Sequence, residues 1–172
     1  ETPTILAEYA ANDWQMRVLH STPLPSGWTG KAHACQQAAN QANGEWLLFI
    51  DADTAPQPLL IGALMSHARA QGLDLLSIFP FLELQTFWER FILPPFLAII
   101  EATFPFERLN APDVRPNEVF ANGQCILIRR SAYEAIGGHG AVRSNVLEDV
   151  RLAQTVRAAG FHTGAARGPR DM

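Results

Sequence analysis

Two hydrophobic patterns take turns along this chain: apolar residues at helical spacing, and short unbroken apolar runs bounded by glycine or proline. Ile5, Leu6, Tyr9 and Ala10 form a helical stripe behind Thr2-Pro3, a capping hydroxyl followed by proline at the first helical position, and Asn12-Asp13 ends it. Met16 to Leu19 reads as a short strand, and Ser21 to Gly30, with Pro23, Pro25, Gly27 and Gly30, as a loop. A second helix runs from Lys31 to about Ala42 and stops at Asn43-Gly44. Trp46-Leu47-Leu48-Phe49-Ile50 is too short for a helix and reads as a strand buried on both faces. Pro56 and Pro58 launch a third helix, with Leu60, Leu64, His67 or Ala68, and Gln71 on one face and Gly72 as its stop. Leu73 to Phe79 is the next strand.

Helices and strands alternating in this way predict an α/β fold, a mostly parallel sheet with helices on both faces. The alternation breaks at Pro80. Thr86 to Phe106 is dense in aromatic and aliphatic residues and reads in two ways: a core helix pair broken at Pro94-Pro95, or a surface that meets a membrane interface or a lipid acceptor. After a polar loop from Asn110 to Asn117, a strand resumes at Gln124 to Ile128. Ser131-Ala132-Tyr133-Glu134 reads as a capping box, with Gly137-Gly138 closing that helix. The last helix begins near Glu148, carries Leu152, Val156 and Ala159, and stops at Gly160, before a final strand at Phe161 to Ala166.

With 172 residues, 48% of them hydrophobic and 17% charged, the chain has the size and balance of one globular domain. A net charge of -4 with scattered lysines and arginines offers no basic field for a nucleic acid. Its two cysteines, Cys35 and Cys125, suggest neither a disulfide framework nor a zinc motif, which suits a reducing cytosol. The apolar run Phe91 to Ile100 covers about half of the ~20 residues that span a bilayer, so no transmembrane helix is expected. Opening on Glu1-Thr2-Pro3 and stopping at Arg170-Asp171-Met172, the chain reads as a fragment.

The chemistry concentrates where the Trp46–Ile50 run ends in Asp51-Ala52-Asp53. In extended geometry both carboxylates point to the same side, past the carboxyl end of a central strand, where open α/β sheets place their ligands. Side by side they repel unless a hard cation sits between them or one is protonated, and the pair implies Mg²⁺ or Mn²⁺ with phosphate oxygens. An apolar strand followed by Asp-x-Asp also opens the haloacid-dehalogenase-like phosphatases, with Asp51 as nucleophile; a non-catalytic interaction module is a third possibility. Gly27-Trp28-Thr29-Gly30-Lys31 puts a lysine at a helix N-terminus, where free N–H groups favour an anion. Glu148-Asp149 at a helix start has an ordinary account in the helix dipole, about 0.3–1 kcal/mol. Asn122-Gly123-Gln124 can be a turn feeding a strand, and His139, after two glycines, is a capable ligand or base.

Taken in order, Gly30-Lys31, Gly44 to Asp53, Asn122-Gly123-Gln124, Arg129 to His139 and Leu147-Glu148-Asp149-Val150 resemble the family 2 glycosyltransferases, most of all the membrane-associated members linked to hopanoid and carotenoid biosynthesis. The resemblance implies a GT-A fold, a nucleotide-diphosphate sugar donor, a divalent metal (Mn²⁺ or Mg²⁺), inverting transfer to an acceptor hydroxyl that includes lipid acceptors, and a place in the cytoplasm, at the cytoplasmic face of a membrane. By similarity Asp53 coordinates the metal, Asp51 approaches the donor ribose or the metal shell, and Lys31 sits near the donor. Asp149 is the general base, while Asn122, Gly123, Gln124, Gly138, His139 and Glu148 shape the acceptor side. The family opens with a nucleotide-binding strand that is not found before Thr2, and the Gln-x-x-Arg-Trp motif of processive members is not found either. Residues 1–172 are thus expected to be one partial catalytic domain.

Overall fold

The computed structural model describes residues 2–168. Four short strands, β1 (Trp46–Ile50), β2 (Leu75–Phe79), β3 (Cys125–Arg129) and β4 (Thr163–Arg167), pair in the order β1-β3-β2-β4. The helices are α1 (Thr2–Asn12), α2 (Gly30–Gln41), α3 (Leu60–Ala70), α4 (Phe87–Thr103), α5 (Phe106–Leu109), α6 (Arg130–Ala135) and α7 (Glu148–Ala158), with 3₁₀ turns at Pro116–Glu118 and Gly138–Val142. This is an α/β, GT-A-like domain with a mixed sheet. β1, β2 and β4 run one way, as expected for a mostly parallel sheet, but β3 lies between β1 and β2 and is antiparallel to both. Alternation between helix and strand carries no sign of direction. β3 is reached through the long excursion of α4 and α5 rather than one crossover helix, and it enters the sheet from the opposite end.

Side chains alternate across the sheet and build a core on each face. Ile126 and Ile128 of β3 pack with Leu47, Leu75 and the α7 residues Leu152 and Val156, while Leu127 and Cys125 pack with Leu76, Ile78 and the α3 residues Leu60, Leu64 and Ala68. Helices therefore cover both faces, and Ala68 rather than His67 completes the buried stripe of α3. Gly72 and Gly160 end α3 and α7 with φ of +62° and +90°, a conformation open to glycine without a Cβ penalty.

Four local expectations are corrected. β1 lies at the edge of the described sheet, not at its centre, and Leu47 is its one buried residue, so it is not a strand buried on both faces. Met16 to Leu19 is not a strand, because among the described residues no ladder partner lies beside it. α6 begins at Arg130, one residue before Ser131, so Ser131 lies inside the helix and caps nothing; Arg130 instead pairs with Glu134 one turn on, at 3.6 Å. The capping box belongs to Thr86 and Glu89 at the start of α4. α4 then continues through Pro94-Pro95 as one helix, and none of its residues is buried, so it is neither a broken pair nor a core element. Its half-buried side carries Glu89, Leu93, Leu97 and Glu101, whereas Phe87, Trp88, Phe91, Ile92, Phe96 and Ile99 are exposed.

Candidate functional site

β1 delivers the chain to Asp51, where it turns at once. Thr54 donates its N–H (3.1 Å) and its hydroxyl (2.7 Å) to the Asp51 carbonyl, closing a turn over these four residues. Extended geometry is lost there, and with it the expected same-side placement of the two carboxylates. Asp51 faces Lys31, with Oδ1 2.8 Å from Nζ. Asp53 lines a different cavity, of about 500 Å³, together with Pro56, Glu83 and Glu89. Among the described residues no group of three His, Cys, Asp or Glu side chains is placed to hold a metal. Asp53 is an exposed carboxylate with no ion pair among the described residues, whereas Asp51 already pairs with the Lys31 ammonium.

Lys31 stands in the first turn of α2, which Thr29 caps by accepting the Ala32 N–H at 3.3 Å. Its Nζ also lies 3.3 Å from Oε1 of Glu148, the first residue of α7. Partial burial works against the lysine charge, but the Asp51 and Glu148 carboxylates outweigh it and hold the pKa above its ordinary value. The neighbouring Asp149 accepts the backbone N–H of Gly123 on Oδ2 at 2.8 Å and that of Val150 on Oδ1 at 2.8 Å. A Cβ on Gly123 would stand 2.9 Å from Asp149 Oδ2 and 3.2 Å from Lys31 Nζ, so only glycine passes between acid and lysine without displacing one of them. Lys31, Asp51, Gly123, Glu148 and Asp149 line one pocket of about 340 Å³.

Asn122 and Gln124 flank Gly123 and are tied down in two ways. Asn122 Oδ1 accepts the Gln124 N–H at 2.9 Å while its amide donates to Gln124 Oε1 at 3.1 Å, and Ser77 exchanges bonds with the Asn122 backbone at 2.7 and 3.1 Å. Ser77 was not singled out from the sequence, although a lone hydroxyl inside the apolar run of β2 was the available signal. Gly138 faces away from the pocket: a Cβ there would meet Tyr133 at 2.6 Å and Gln36 at 2.7 Å.

His139 lines the pocket but is buried, its ring edge-on to Phe49 at 4.9 Å and its Nδ1 2.8 Å from the Tyr133 hydroxyl. Burial and, after it, the Lys31 ammonium push its pKa down to about 4. The imidazole is therefore neutral near neutral pH. An unfolded chain takes up this proton near the ordinary value of about 6.5, the folded chain only near 4. Stability from this group is full above pH ~6.5 and is lost as pH falls toward 4, by at most about 1.4 kcal/mol per pH unit. Urea unfolding at pH 7, 6 and 5 is expected to show this slope in the wild type and a flatter profile in His139→Gln; equal slopes would assign the acid sensitivity elsewhere.

Residues 1–137 match Glycosyl transferase family 2. The chain belongs to this family. One curated relative, the 4,4'-diaponeurosporenoate glycosyltransferase of Staphylococcus haemolyticus (strain JCSC1435), is 27% identical over 129 residues, covering 74% of this chain and 34% of the relative. Thus the chain spans about a third of the length of the relative it matches. Membership supports sugar transfer as the general activity and leaves the haloacid-dehalogenase alternative without support. The family match covers Lys31, Asp51, Asp53 and Gly123 and ends before Glu148 and Asp149, which the fold brings against Lys31 and Gly123.

Proposed function

We propose that this glycosyltransferase domain transfers a sugar from a nucleotide-diphosphate sugar to an acceptor hydroxyl, with inversion, and that Asp149 is the general base. The observation that carries the reading is Asp149 fixed on Gly123 beside the Lys31–Asp51–Glu148 cluster, an ordered acid on one side and a cation on the other. As the acceptor oxygen bonds to the anomeric carbon, the bond to the diphosphate breaks and the hydroxyl proton passes to the Asp149 carboxylate. Lys31 supplies a positive charge near the departing diphosphate, and Asp51 and Glu148 hold its ammonium in place. Asp53 is the residue that would hold a divalent ion, whose chemistry is to offset charge on the diphosphate. Gly138 and His139 support the pocket through packing rather than by contact with the acceptor. The relative's name, a diaponeurosporenoate glycosyltransferase, and the exposed apolar side of α4 favour a lipid acceptor. Among the described residues no helix is long and apolar enough to cross one.

Calorimetric titration of UDP with Mn²⁺ tests the donor half of this reading. Metal-dependent UDP binding is expected in the wild type and is expected to be lost in Asp53→Ala. Binding that persists in the variant would remove Asp53 from the donor site, and no binding in the wild type would favour a non-catalytic interaction module.

A further inference from the structure

β2 is apolar except at Ser77, which is 1% exposed. Alternation along the strand sets its side chain on the face of Leu75, which packs with Leu152 and Val156 of α7, the helix that begins at Glu148-Asp149. The ladder of β2 on β3 ends at this residue, with Ser77 opposite Ile126. Before Ile126 the chain stays with β1: Cys125 lies opposite Ile50, and the Gln124 carbonyl accepts the Asp51 N–H at 3.0 Å. The Ser77 hydroxyl takes over where the ladder stops. It accepts the Asn122 N–H at 2.7 Å and donates to the Asn122 carbonyl at 3.1 Å, so both of its roles are filled by the backbone of a single residue.

We infer that Ser77 is a positioning residue for Asp149, acting through one peptide plane. Naming Asp149 as the base rests on the transferase reading above; the chain of hydrogen bonds stands apart from it. The Asn122 carbonyl and the Gly123 N–H belong to the same peptide unit, which is rigid and trans. Its two polar groups therefore point to opposite sides, the carbonyl to the Ser77 hydroxyl and the N–H to Asp149 Oδ2 at 2.8 Å. Turning that plane would move both bonds together. Asn122 Oδ1 accepts the Gln124 N–H at 2.9 Å, which closes the turn on its other side and leaves the plane to Ser77. Gly123 brings no side chain to hold it, and none would fit, since a Cβ would stand 2.9 Å from Asp149 Oδ2. The second Asp149 oxygen bonds within its own helix, to the Val150 N–H, so the Gly123 N–H is what ties the carboxylate to the sheet. Burying a hydroxyl is costly unless it is bonded. Here both of its bonds go to the turn that carries the donor for Asp149.

The test is amide hydrogen exchange of the full chain, followed at Gly123 by NMR without ligand. Asp149→Ala removes the acceptor and sets the rate of an unbonded Gly123 N–H. Ser77→Ala is expected to speed exchange at Gly123 by about tenfold toward that rate, the effect of one lost hydrogen bond. Ser77→Val, without a hydroxyl, is expected to do the same, and Ser77→Thr, of the same shape with a hydroxyl, to stay within about threefold of wild type. Unchanged exchange in Ser77→Ala overturns the inference, and so do equal losses in Ser77→Val and Ser77→Thr, which would assign the effect to packing. If circular dichroism shows either branched variant unfolded, Ser77→Ala is read against the Ile128 amide. A rise at Gly123 larger than at Ile128 supports the inference, and an equal rise at both overturns it. Turnover separates this result from the transferase reading. With Asp149 as the base, Ser77→Ala lowers kcat about tenfold, leaves the KM for the donor within about twofold, and has no further effect in Asp149→Asn. Faster Gly123 exchange with unchanged kcat keeps Ser77 as the anchor of the Asp149 carboxylate and removes Asp149 as the base; lower kcat with unchanged exchange overturns the inference.

Discussion

Replacing Asp149 by Asn is expected to lower the rate of sugar transfer by about 10²- to 10⁴-fold, the span usual for loss of a positioned general base. Asn is isosteric with Asp, and its carbonyl oxygen can still accept the Gly123 N–H that holds the wild-type carboxylate at 2.8 Å. The fold and the first turn of α7 are thus preserved, while the basic oxygen proposed to receive the acceptor proton is gone. UDP release from UDP-glucose in the presence of acceptor measures the rate, and UDP binding measured alongside separates chemistry from donor affinity. A large loss of rate with unchanged UDP binding is the expected pair of results. Wild-type turnover in Asp149→Asn would move the base elsewhere, and Glu148, 3.3 Å from Lys31, is the next carboxylate in the pocket.

Ile128→Ala is expected to remove about 2–5 kcal/mol of stability, a large share of the roughly 5–15 kcal/mol that a domain has. Ile128 is 0% exposed and sits on the central strand β3, opposite Leu47 of β1 and Leu75 of β2. Truncation leaves a cavity bounded by two ladders and by α7, with no side chain free to collapse into it. At this chain length the cost corresponds to a fall in Tm of roughly 4–20 °C. Ile99→Ala removes the same atoms from a residue that is 65% exposed, and is expected to change stability by less than about 0.5 kcal/mol. A similar fall in both variants would mean that α4 is covered in the protein tested.

Much of this fold is written locally. β1 is legible because five apolar residues stand unbroken between breakers, and the helix stops at Gly72 and Gly160 because positive φ has few other occupants. Strand direction is not local: Gln124 to Ile128 looks the same whether the strand runs up or down, and only the path through α4 and α5 decides it. The continuity of α4 was hidden for a related reason. Pro94-Pro95 costs helix bonds, yet the capping box of Thr86 with Glu89, and the Phe104 N–H on the Ile100 carbonyl, hold the two ends. At the site, sequence order brought out Lys31, Asp51, Gly123, Glu148 and Asp149, which the fold gathers into one pocket. It misplaced Asp53, because the turn that separates it from Asp51 is made by the hydroxyl of Thr54. Nothing near His139 in the chain announces that Phe49 and Tyr133 pack on it.

The paired prolines of α4 set a condition on whatever lies over that helix. Pro94 and Pro95 have no N–H, so the bonds that would end on the carbonyls of Arg90 and Phe91 are absent. For Phe91 the residue three positions on is proline as well, which removes the tighter 3₁₀ alternative. The Phe91 carbonyl, midway along a helix with exposed aromatic residues, therefore needs water or another donor. Hydrocarbon supplies neither. Were the helix to lie on a bilayer, it could not sink past its own midpoint without first finding a donor for that oxygen, so its backbone would act as a depth gauge.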